Sequence, residues 1–420
     1  MKILLLNQTF YPDNVATSQQ LTDLAAFLEG KGHQVSVIVD HRAYEDRRRK
    51  FPLHEVWKGV HIFRVRSTGF GKSRLRFRIV DSFTFLCSLA LKLVRFEPQD
   101  VVISFTSPPL IGLFGMVFCW MKGGKSVQWL MDINPDAAFE VGYLNRHSIP
   151  GRVLNWIFEK TLQGASSIVV LDRWMKERVV QHGADPSQVM VVPPWSVIKP
   201  RESGHEEQVK QFRSEHGLSD KFVVMYSGNH SVVHPLDTLL QTAKRLKDRT
   251  DIAFVFIGAG LRTKDVRKWK EEFGLENIIQ LPLQPRDRVK TSFGSADLHC
   301  VVMGPGMSGL VHISKVYSVL AAGKPFLFVG PRDSHVGDLL FVCPSGTPVA
   351  HDDVSGVIRV IEEARQMSQQ DRDRICHMNL DYLKKHDPQR TLDAFYDSFI
   401  LNHDTASVVT LAADTSGITD

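Results

Sequence analysis

The chain has little cysteine and no long apolar segment. Its five cysteines are scattered through 420 residues, and none belongs to a CxxC pair. An odd number without paired spacing argues against a disulfide framework or a zinc ribbon and favours a reducing compartment. The longest apolar stretch, residues 110–121, falls well short of the ~20 residues of a membrane-spanning helix. Since the run at residues 3–6 is too short for a signal-peptide core, we predict a cytoplasmic protein without a transmembrane segment.

Two nucleotide-binding fingerprints are also incomplete. After the predicted strand Ile252–Gly258 comes Gly260, but Thr263 occupies the position of the third glycine, which disfavours NAD binding. Lys72-Ser73 resembles the end of a P-loop, but Arg66 stands where its first glycine belongs. ATP hydrolysis of that type is therefore disfavoured. No pair of carboxylates has a recognisable spacing that argues for a glycoside hydrolase.

What the sequence does contain is enough apolar material for two ordinary globular domains, with 43% hydrophobic and 23% charged residues. Positive charge is concentrated between residues 41 and 78, where twelve Lys/Arg stand against three acidic residues. A basic patch attracts anionic membranes or nucleic acid, although Arg47–Lys50 alone is more simply a solvated loop. Arg74, Arg76 and Arg78 alternate with apolar residues, which favours a membrane-contacting edge. We predict peripheral membrane contact and no nucleic-acid binding.

The first half shows the pattern of a parallel sheet. An apolar strand over residues 2–10, helical spacing over 21–28 and a strand over 33–39 form a βαβ unit. Ligands gather at the carboxyl ends of such strands, so the loop Phe10–Gln19 is a cleft candidate. Its Thr17, Ser18 and Gln19 offer hydroxyl and amide groups, with a plain helix N-cap as the alternative. Two segments, Phe83–Val94 and Leu110–Met121, are apolar nearly all round; we prefer core helices to shallow membrane contact.

The second half contains a candidate phosphate site. A loop with Gly304, Gly306 and Gly309 precedes a predicted helix over Ile313–Ala322, which a glycine and a proline end. A glycine-rich loop entering a helix presents unpaired N–H groups that favour a phosphate. Lys315, in the first turn, would add a positive charge. An ordinary loop–helix–strand unit explains the same residues equally well.

The segment Ser314-Lys315-x-Tyr317, followed by Ala321-Ala322-Gly323-Lys324-Pro325, resembles the donor-binding segment of family 4 glycosyltransferases, and especially the colanic-acid and exopolysaccharide subgroup. The resemblance implies the α/β GT-B fold, in which two Rossmann-like, doubly wound domains face a cleft. We therefore predict an acceptor-binding domain over residues 1–195, with a linker near residues 196–204. A nucleotide-sugar domain would cover 205–385, a crossover helix 386–402 and a disordered tail 403–420.

Site residues follow from the same resemblance. Asp132, at the end of a predicted strand, would orient the acceptor or take a proton, while Asp136 would cap a helix. Lys315 would stabilise the departing diphosphate. The family's glutamates are absent at Leu310 and Ser318, and Val232 replaces a basic residue. The implied donor-binding residues are Gly228, Asn229, Gly258, Gly260, Gln284, Arg286, Gly309, Ser314 and Ser318, and the implied acceptor-side residues are Thr17, Ser18, Gln19 and Arg173.

The resemblance implies a retaining, hexosyltransferase-type enzyme that uses a UDP- or GDP-linked sugar without a metal or cofactor. Its acceptor would be a lipid-linked saccharide of bacterial exopolysaccharide or lipopolysaccharide synthesis, reached from the inner face of the cell membrane. Because a fold does not fix a function, two alternatives stay open. One is a nucleotide-sugar 2-epimerase on the same fold, and the other is a non-catalytic nucleotide-sugar binder.

Overall fold

The computed structural model describes residues 1–13, 15–44, 46–71, 75–196 and 206–397. The chain forms two compact units: unit 1 comprises residues 1–194, 309–312 and the chain from 391 on, and unit 2 comprises residues 195–308 and 313–390. Each unit is an α/β structure with a largely or wholly parallel sheet, as the predicted fold class requires. Most of the predicted linker and the predicted tail lie outside the described residues.

Unit 1 is built on an eight-stranded sheet of order β3-β4-β2-β1-β5-β6-β7-β8. All neighbours pair in parallel except β3 and β4, which form an antiparallel hairpin. Strands β1 and β5 to β7 are almost completely buried, as expected for strands covered on both faces. The strands are β1 Lys2–Leu6, β2 Gln34–Asp40, β3 His54–Trp57, β4 Val60–Val65, β5 Val101–Ser104, β6 Lys125–Trp129, β7 Ser167–Val170 and β8 Val189–Val191.

The helices of unit 1 flank this sheet. These helices are α1 Ala16–Gly30, α2 Leu75–Val94, α3 Ile111–Lys122, α4 Asp136–Glu140, α5 Ile149–Gln163 and α6 Arg173–Gln181. Phe85 and Leu89 of α2 and Phe118 of α3 share one core with Leu4 and Val102 of the sheet. Helix α3 also packs against α2 and α5. Among the described residues, no helix combines the length and apolarity needed to cross a bilayer.

Unit 2 has a six-stranded, all-parallel sheet of order β11-β10-β9-β12-β13-β14. Chain order reverses between β9 and β12, and ligands of such sheets bind outside the carboxyl ends of strands at this switch point. The strands are β9 Phe222–Ser227, β10 Ile252–Ile257, β11 Ile278–Leu281, β12 Leu298–Val302, β13 Phe326–Val329 and β14 Gly346–Val349. The helices are α7 Glu206–Glu215, α8 Asp237–Arg245, α9 Thr263–Phe273, α10 Arg286–Gly294, α11 Lys315–Ala321, α12 His335–Val342, α13 Val354–Gln366 and α14 Gln369–Lys385. A last helix, α15 Pro388–Tyr396, begins in unit 2 and ends in unit 1.

Several local predictions need correction. Arg76 and Arg78 lie in the first turn of α2, so the segment in which basic and apolar residues alternate is helical; Arg74 lies outside the described residues. Helix α15 starts at Pro388 and ends at Tyr396, within the range 386–402 in which a helix was predicted. From residue 391 on, the chain groups with unit 1, where the Tyr396 hydroxyl lies 3.0 Å from Nε2 of His33. The short strands β3 and β14 were not predicted.

Candidate active site

Two glycine turns lie against each other at the carboxyl ends of β9 and β10. Gly228 and Gly258 both have φ of +147°, a conformation that side chains rarely adopt. A Cβ atom on Gly258 would collide with the carbonyl oxygen of Gly228, and one on Gly260 would lie 2.6 Å from Oδ1 of Asn229. Only glycine therefore allows the two backbones to approach so closely. The four predicted donor-binding residues of these turns are brought together beside the switch point of unit 2.

Lys315 reaches this pair of turns from the first position of α11. Its Nζ donates a hydrogen bond to the hydroxyl of Tyr226 (2.7 Å), which in turn donates to the carbonyl oxygen of Asn229 (2.8 Å). Nζ also lies 4.0 Å from the centroid of the Tyr226 ring, and a Cβ on Gly228 would lie only 2.9 Å from it. The ammonium group is thus fixed against the Gly228–Asn229 turn. Tyr226 was missed because nothing in the sequence distinguishes it from a core tyrosine.

The electrostatics of Lys315 are unusual for a lysine. Its side chain is partly buried, and this burial lowers the pKa of Lys315 to about 7, with the nearby Cys300 thiol acting in the opposite direction. Within the part of the chain that the structure describes, no carboxylate contributes to this pKa. A cation removed from water without a paired anion is costly. Such perturbed groups mark candidate functional sites, and an anionic ligand would supply the missing partner.

Two neighbouring histidines stay neutral. His230 is completely buried, and its Nδ1 lies 3.2 Å from the hydroxyl of Thr263. Burial and the charge of Lys315 lower the pKa of His230 to about 4. The same causes hold the pKa of His234 well below its ordinary value. The imidazole rings of His230 and His234 are therefore uncharged at neutral pH and add no positive charge to the site.

The other predicted donor residues are more dispersed. Ser318 is buried in α11, one turn after Lys315, and Ser314 occupies the N-cap position without a side-chain capping bond. The amide of Gln284 donates to the carbonyl of Pro282 (2.9 Å). Arg286 begins α10, and its side chain is not described. Gly309, with φ of +71°, groups with unit 1 rather than with the remaining donor residues.

In unit 1, Asp132 follows the end of β6. Its backbone forms an antiparallel bridge with Val311, and the N–H of Ile133 donates to the carbonyl of Leu310 (2.8 Å). This pairing accounts for the grouping of residues 309–312 with unit 1. Burial raises the pKa of Asp132 to about 6, while the charge of His312 acts to lower it. A carboxylate with this pKa can bind a hydroxyl or exchange a proton near neutral pH.

A histidine–aspartate pair accompanies Asp132. Nδ1 of His312 donates to Oδ2 of Asp172 (2.7 Å), and both side chains are almost fully buried. The other oxygen of Asp172 accepts from the backbone N–H of Met175 (2.8 Å), so the carboxylate also caps α6. Sequence reasoning missed this pair, and its one signal was a histidine inside an otherwise apolar run. The arrangement fixes the orientation of the imidazole.

The predicted acceptor-side residues lie elsewhere in unit 1. Thr17, Ser18 and Gln19 belong to the first turn of α1, so they do not form a loop. Ser18 is fully buried, and its hydroxyl donates to the carbonyl of Asp13 (3.0 Å); the N-cap position belongs to Val15, so the N-cap alternative was also wrong. Arg173 begins α6. Its exposed guanidinium lies 4.1 Å from the centroid of the Trp174 ring.

Asp136 does not cap a helix. Its carboxylate pairs with Arg146 (3.0 Å) and with Nε2 of His182 (2.9 Å), while the N-cap position of α4 is Pro135. Burial acts to raise the pKa of Asp136, but the hydrogen bond from His182 and the neighbouring positive charges outweigh it and hold that pKa below its ordinary value. Asp136 is therefore a structural anion.

Comparisons with known proteins identify glycosyltransferases as similar to this chain. The profile of the Glycosyl transferase 4-like domain matches residues 16–195. WcaI of Escherichia coli (strain K12), named as a colanic acid biosynthesis glycosyl transferase, is 24% identical over 87% of this chain and 92% of its own length. WbjE of Pseudomonas aeruginosa, named as a glycosyltransferase, is 25% identical over 77% of this chain and 76% of its own.

Solved structures give the same fold. The crystal structure of WaaG, a glycosyltransferase involved in lipopolysaccharide biosynthesis, superposes with a TM-score of 0.71 at 15% identity, covering 96% of this chain and all of WaaG. HepE of Anabaena, solved in complex with UDP-glucose, gives a TM-score of 0.69 at 12% identity over 96% of this chain and all of HepE. The domain matched over residues 16–195, the two relatives and the shared GT-B fold together support a family 4 glycosyltransferase.

Proposed function

We propose that this enzyme transfers a sugar from a nucleotide-sugar donor to a saccharide acceptor during assembly of a bacterial cell-surface polysaccharide. The observation that carries the proposal is the placement of Lys315, a partly buried cation held against the Gly228–Asn229 turn without a carboxylate partner among the described residues. The names of WcaI and WaaG support the polysaccharide context. The UDP and UDP-glucose complexes of HepE support a uridine nucleotide as donor.

On the donor side, the diphosphate would lie over the glycine turns. Gly228 and Gly258 leave no side chain between the backbone and a bound phosphate, and Lys315 would face the phosphate oxygens. Negative charge builds up on the diphosphate as the sugar–phosphate bond breaks. Preorganised positive groups aimed at developing charge are usually the largest catalytic contribution. Binding of the anionic diphosphate would also raise the pKa of Lys315 and so keep its side chain fully protonated, because an opposite charge favours the charged form.

On the acceptor side, Asp132 would hold the attacking hydroxyl. Its pKa of about 6 leaves it ionised at neutral pH but basic enough to accept a hydrogen bond strongly. His312, oriented by Asp172, supplies the opposing charge that helps keep Asp132 ionised. We propose that transfer retains the anomeric configuration and needs no metal, so that activity persists in EDTA. The acceptor would be lipid-linked, and the enzyme would work peripherally at the inner face of the membrane.

The testing experiment is a binding and turnover series with UDP, GDP, ADP and their sugar conjugates. Binding stabilises the folded protein by about 2.7 kcal/mol at a hundredfold excess of ligand over Kd, so a thermal shift identifies the base. We expect a shift with uridine nucleotides that Lys315→Met abolishes, and sugar transfer to membrane lipid extracts.

The other outcomes separate the alternatives. Conversion of the donor to an epimer without any acceptor would identify a 2-epimerase. Binding with neither transfer nor epimerisation would identify a non-catalytic binder. Absence of binding to every nucleotide would contradict the proposed donor site itself.

A further inference from the structure

Unit 1 contains a pocket of about 400 Å³ formed by the loop after α4 and by helix α5. This volume lies within the range of small-molecule sites, about 300–1,000 Å³. Most of its lining residues are polar or charged, so the ligand that suits the pocket is hydrophilic. The lining residues are Arg146, His147, Arg152, Asn155, Trp156 and Glu159.

Helix α5 brings four of these residues onto one face. The hydroxyl of Ser148 caps the helix by accepting from the N–H of Gly151 (3.2 Å), and Pro150 lies in the first turn. Residues three or four positions apart are neighbours on a helix surface. The spacing of Arg152, Asn155, Trp156 and Glu159 therefore places a guanidinium, an amide, an indole and a carboxylate next to one another.

The pocket has one cation that no carboxylate neutralises. Arg146 pairs with Asp136 (3.0 Å), so its charge is compensated. Arg152 is exposed, and within the part of the chain that the structure describes its guanidinium has neither an ion pair nor a hydrogen bond. A guanidinium binds carboxylates and phosphates through two parallel hydrogen bonds. Arg152 is therefore available for the anionic group of a ligand.

The other lining groups suit a sugar ring. Oε1 of Glu159 accepts from the amide of Asn155 (2.6 Å), which fixes the carboxylate, while Oε2 has no partner among the described residues and can accept from a hydroxyl. Trp156 leaves 58% of its surface in solvent. The negative face of an indole attracts the polarised C–H groups of a sugar. A neutral sugar would leave Arg152 unpaired, and a bare phosphate would not use Trp156 and would be repelled by Glu159.

The pocket is joined to the segment that carries Asp132. Asp136 begins α4 four residues after Asp132, and its carboxylate holds Arg146 at the pocket. We propose that this pocket binds an acidic sugar residue of the acceptor, one that carries a carboxylate or a phosphate. Arg152 would bind the acid, Trp156 would pack on the ring, and Glu159 would accept from a hydroxyl. The inference rests on the proposed function, because it takes the acceptor to be a saccharide.

The test is binding of methyl β-D-glucuronide and methyl β-D-glucoside to the purified full chain, measured by ligand-observed NMR with UDP present. The two probes differ in the carboxylate, and we expect the glucuronide to bind about tenfold more tightly, as one charge-assisted hydrogen bond allows. Arg152→Gln should remove this difference, and Trp156→Ala should weaken both sugars. Arg95→Gln, which alters another exposed arginine of unit 1, is the matched control and should bind as the wild-type protein does.

Two further probes identify the anion that the pocket accepts. Glucose 6-phosphate binding more tightly than the glucuronide would support a phosphorylated sugar, and the reverse order would support a uronic acid. Inorganic phosphate should bind about tenfold more weakly than glucose 6-phosphate, because it makes no contact with the indole. Equal binding of these two phosphates would overturn the inference, since the site would then hold an anion without recognising a sugar.

Three other results would also overturn it. They are equal affinity for the two glycosides, a preference for the glucuronide that Arg152→Gln leaves unchanged, and loss of glucuronide binding in Lys315→Met, which would place the sugar in the donor site. UDP binding, measured separately by thermal shift, distinguishes this inference from the proposed function. A chain that binds UDP but does not distinguish the glycosides contradicts only the inference, whereas a chain that prefers the glucuronide but binds no nucleotide contradicts only the proposed function.

Discussion

Replacement of Lys315 by methionine should stabilise the protein while abolishing donor binding. One pKa unit equals about 1.4 kcal/mol, so lowering the lysine from 10.5 to about 7 corresponds to roughly 4–5 kcal/mol of unfavourable free energy in the folded state. Solvent contact with the partly buried side chain relieves part of this cost. Methionine has a similar length and carries no charge, but it cannot donate to Tyr226, which costs about 1 kcal/mol.

The expected net gain is about 2 kcal/mol in the free energy of unfolding, or about 4–8 °C in Tm for a unit of this size. Its pH dependence has a definite sign. Lys315 is a base whose folded pKa lies below its unfolded value, so between about pH 7 and 10.5 the unfolded chain holds more protons. The wild-type protein therefore gains stability from this group as pH rises through that window. The gain in the free energy of unfolding that Lys315→Met brings over the wild-type protein should be largest near pH 6 and about 1 kcal/mol smaller at pH 8.

The assay is a thermal melt at pH 6 and pH 8, with and without UDP. The control is Lys268→Met, which alters an exposed lysine on α9 and should change neither Tm nor the UDP response. Wild-type affinity for UDP should fall above about pH 7, by at most about tenfold per pH unit, because binding takes up the proton of Lys315. Three results would contradict this prediction. They are a Tm at pH 6 that is lower for Lys315→Met than for the wild-type protein, a stability advantage of the variant that grows with pH, and a UDP-induced thermal shift that the substitution leaves unchanged.

Three further predictions concern the turns and the acceptor side. Gly258→Ala should destabilise the protein by about 2–4 kcal/mol in denaturant unfolding, since the added Cβ would meet the carbonyl of Gly228. The control is Gly30→Ala, which should leave the free energy of unfolding almost unchanged because the space around Gly30 is open. Asp132→Asn should lower kcat about 100-fold with donor KM unchanged, and should remove the loss of activity below about pH 6 that protonation of this carboxylate causes. His312→Gln should move that loss to higher pH, because the opposing charge is gone; an unmoved profile would assign His312 a purely structural role.

The sequence predicted the elements of the fold well because long apolar strands and amphipathic helices are local patterns. Buried strands such as β1 and β10 need only their own residues to be recognised. The short edge strand β14 contains Pro348, which weakens the strand pattern. The face that α2 exposes could not be predicted, since a helix that is apolar all round gives no sign of which side meets the core.

The site was predictable in part for the same reason. The glycines of the turns follow strands directly, so the parallel-sheet pattern alone places Gly228 and Gly258 at one edge. The contact between Lys315 and Tyr226 joins residues 89 positions apart, and the bond between His312 and Asp172 joins residues 140 apart. Contacts of this kind depend on tertiary structure, and a single sequence read by itself carries no local pattern that predicts them.

The absence of a glutamate at position 318 has a consequence that can be tested. Ser318 lies three residues after Lys315 in α11, a spacing at which helix side chains are neighbours. A carboxylate there would pair with the ammonium group, raise the pKa of Lys315 and compete with the diphosphate for its charge. With serine, the lysine keeps its low pKa and its charge is left for the donor.

We therefore expect Ser318→Glu to weaken UDP binding near pH 7, by about tenfold for the loss of roughly 1.4 kcal/mol of charge pairing. It should also move the alkaline decline in affinity above pH 8. Ser318→Gln, which has the same shape without the charge, controls for crowding of the buried position. If Ser318→Glu instead tightens UDP binding and Ser318→Gln does not, the carboxylate contacts the nucleotide itself, and Lys315 is not the partner that position 318 controls.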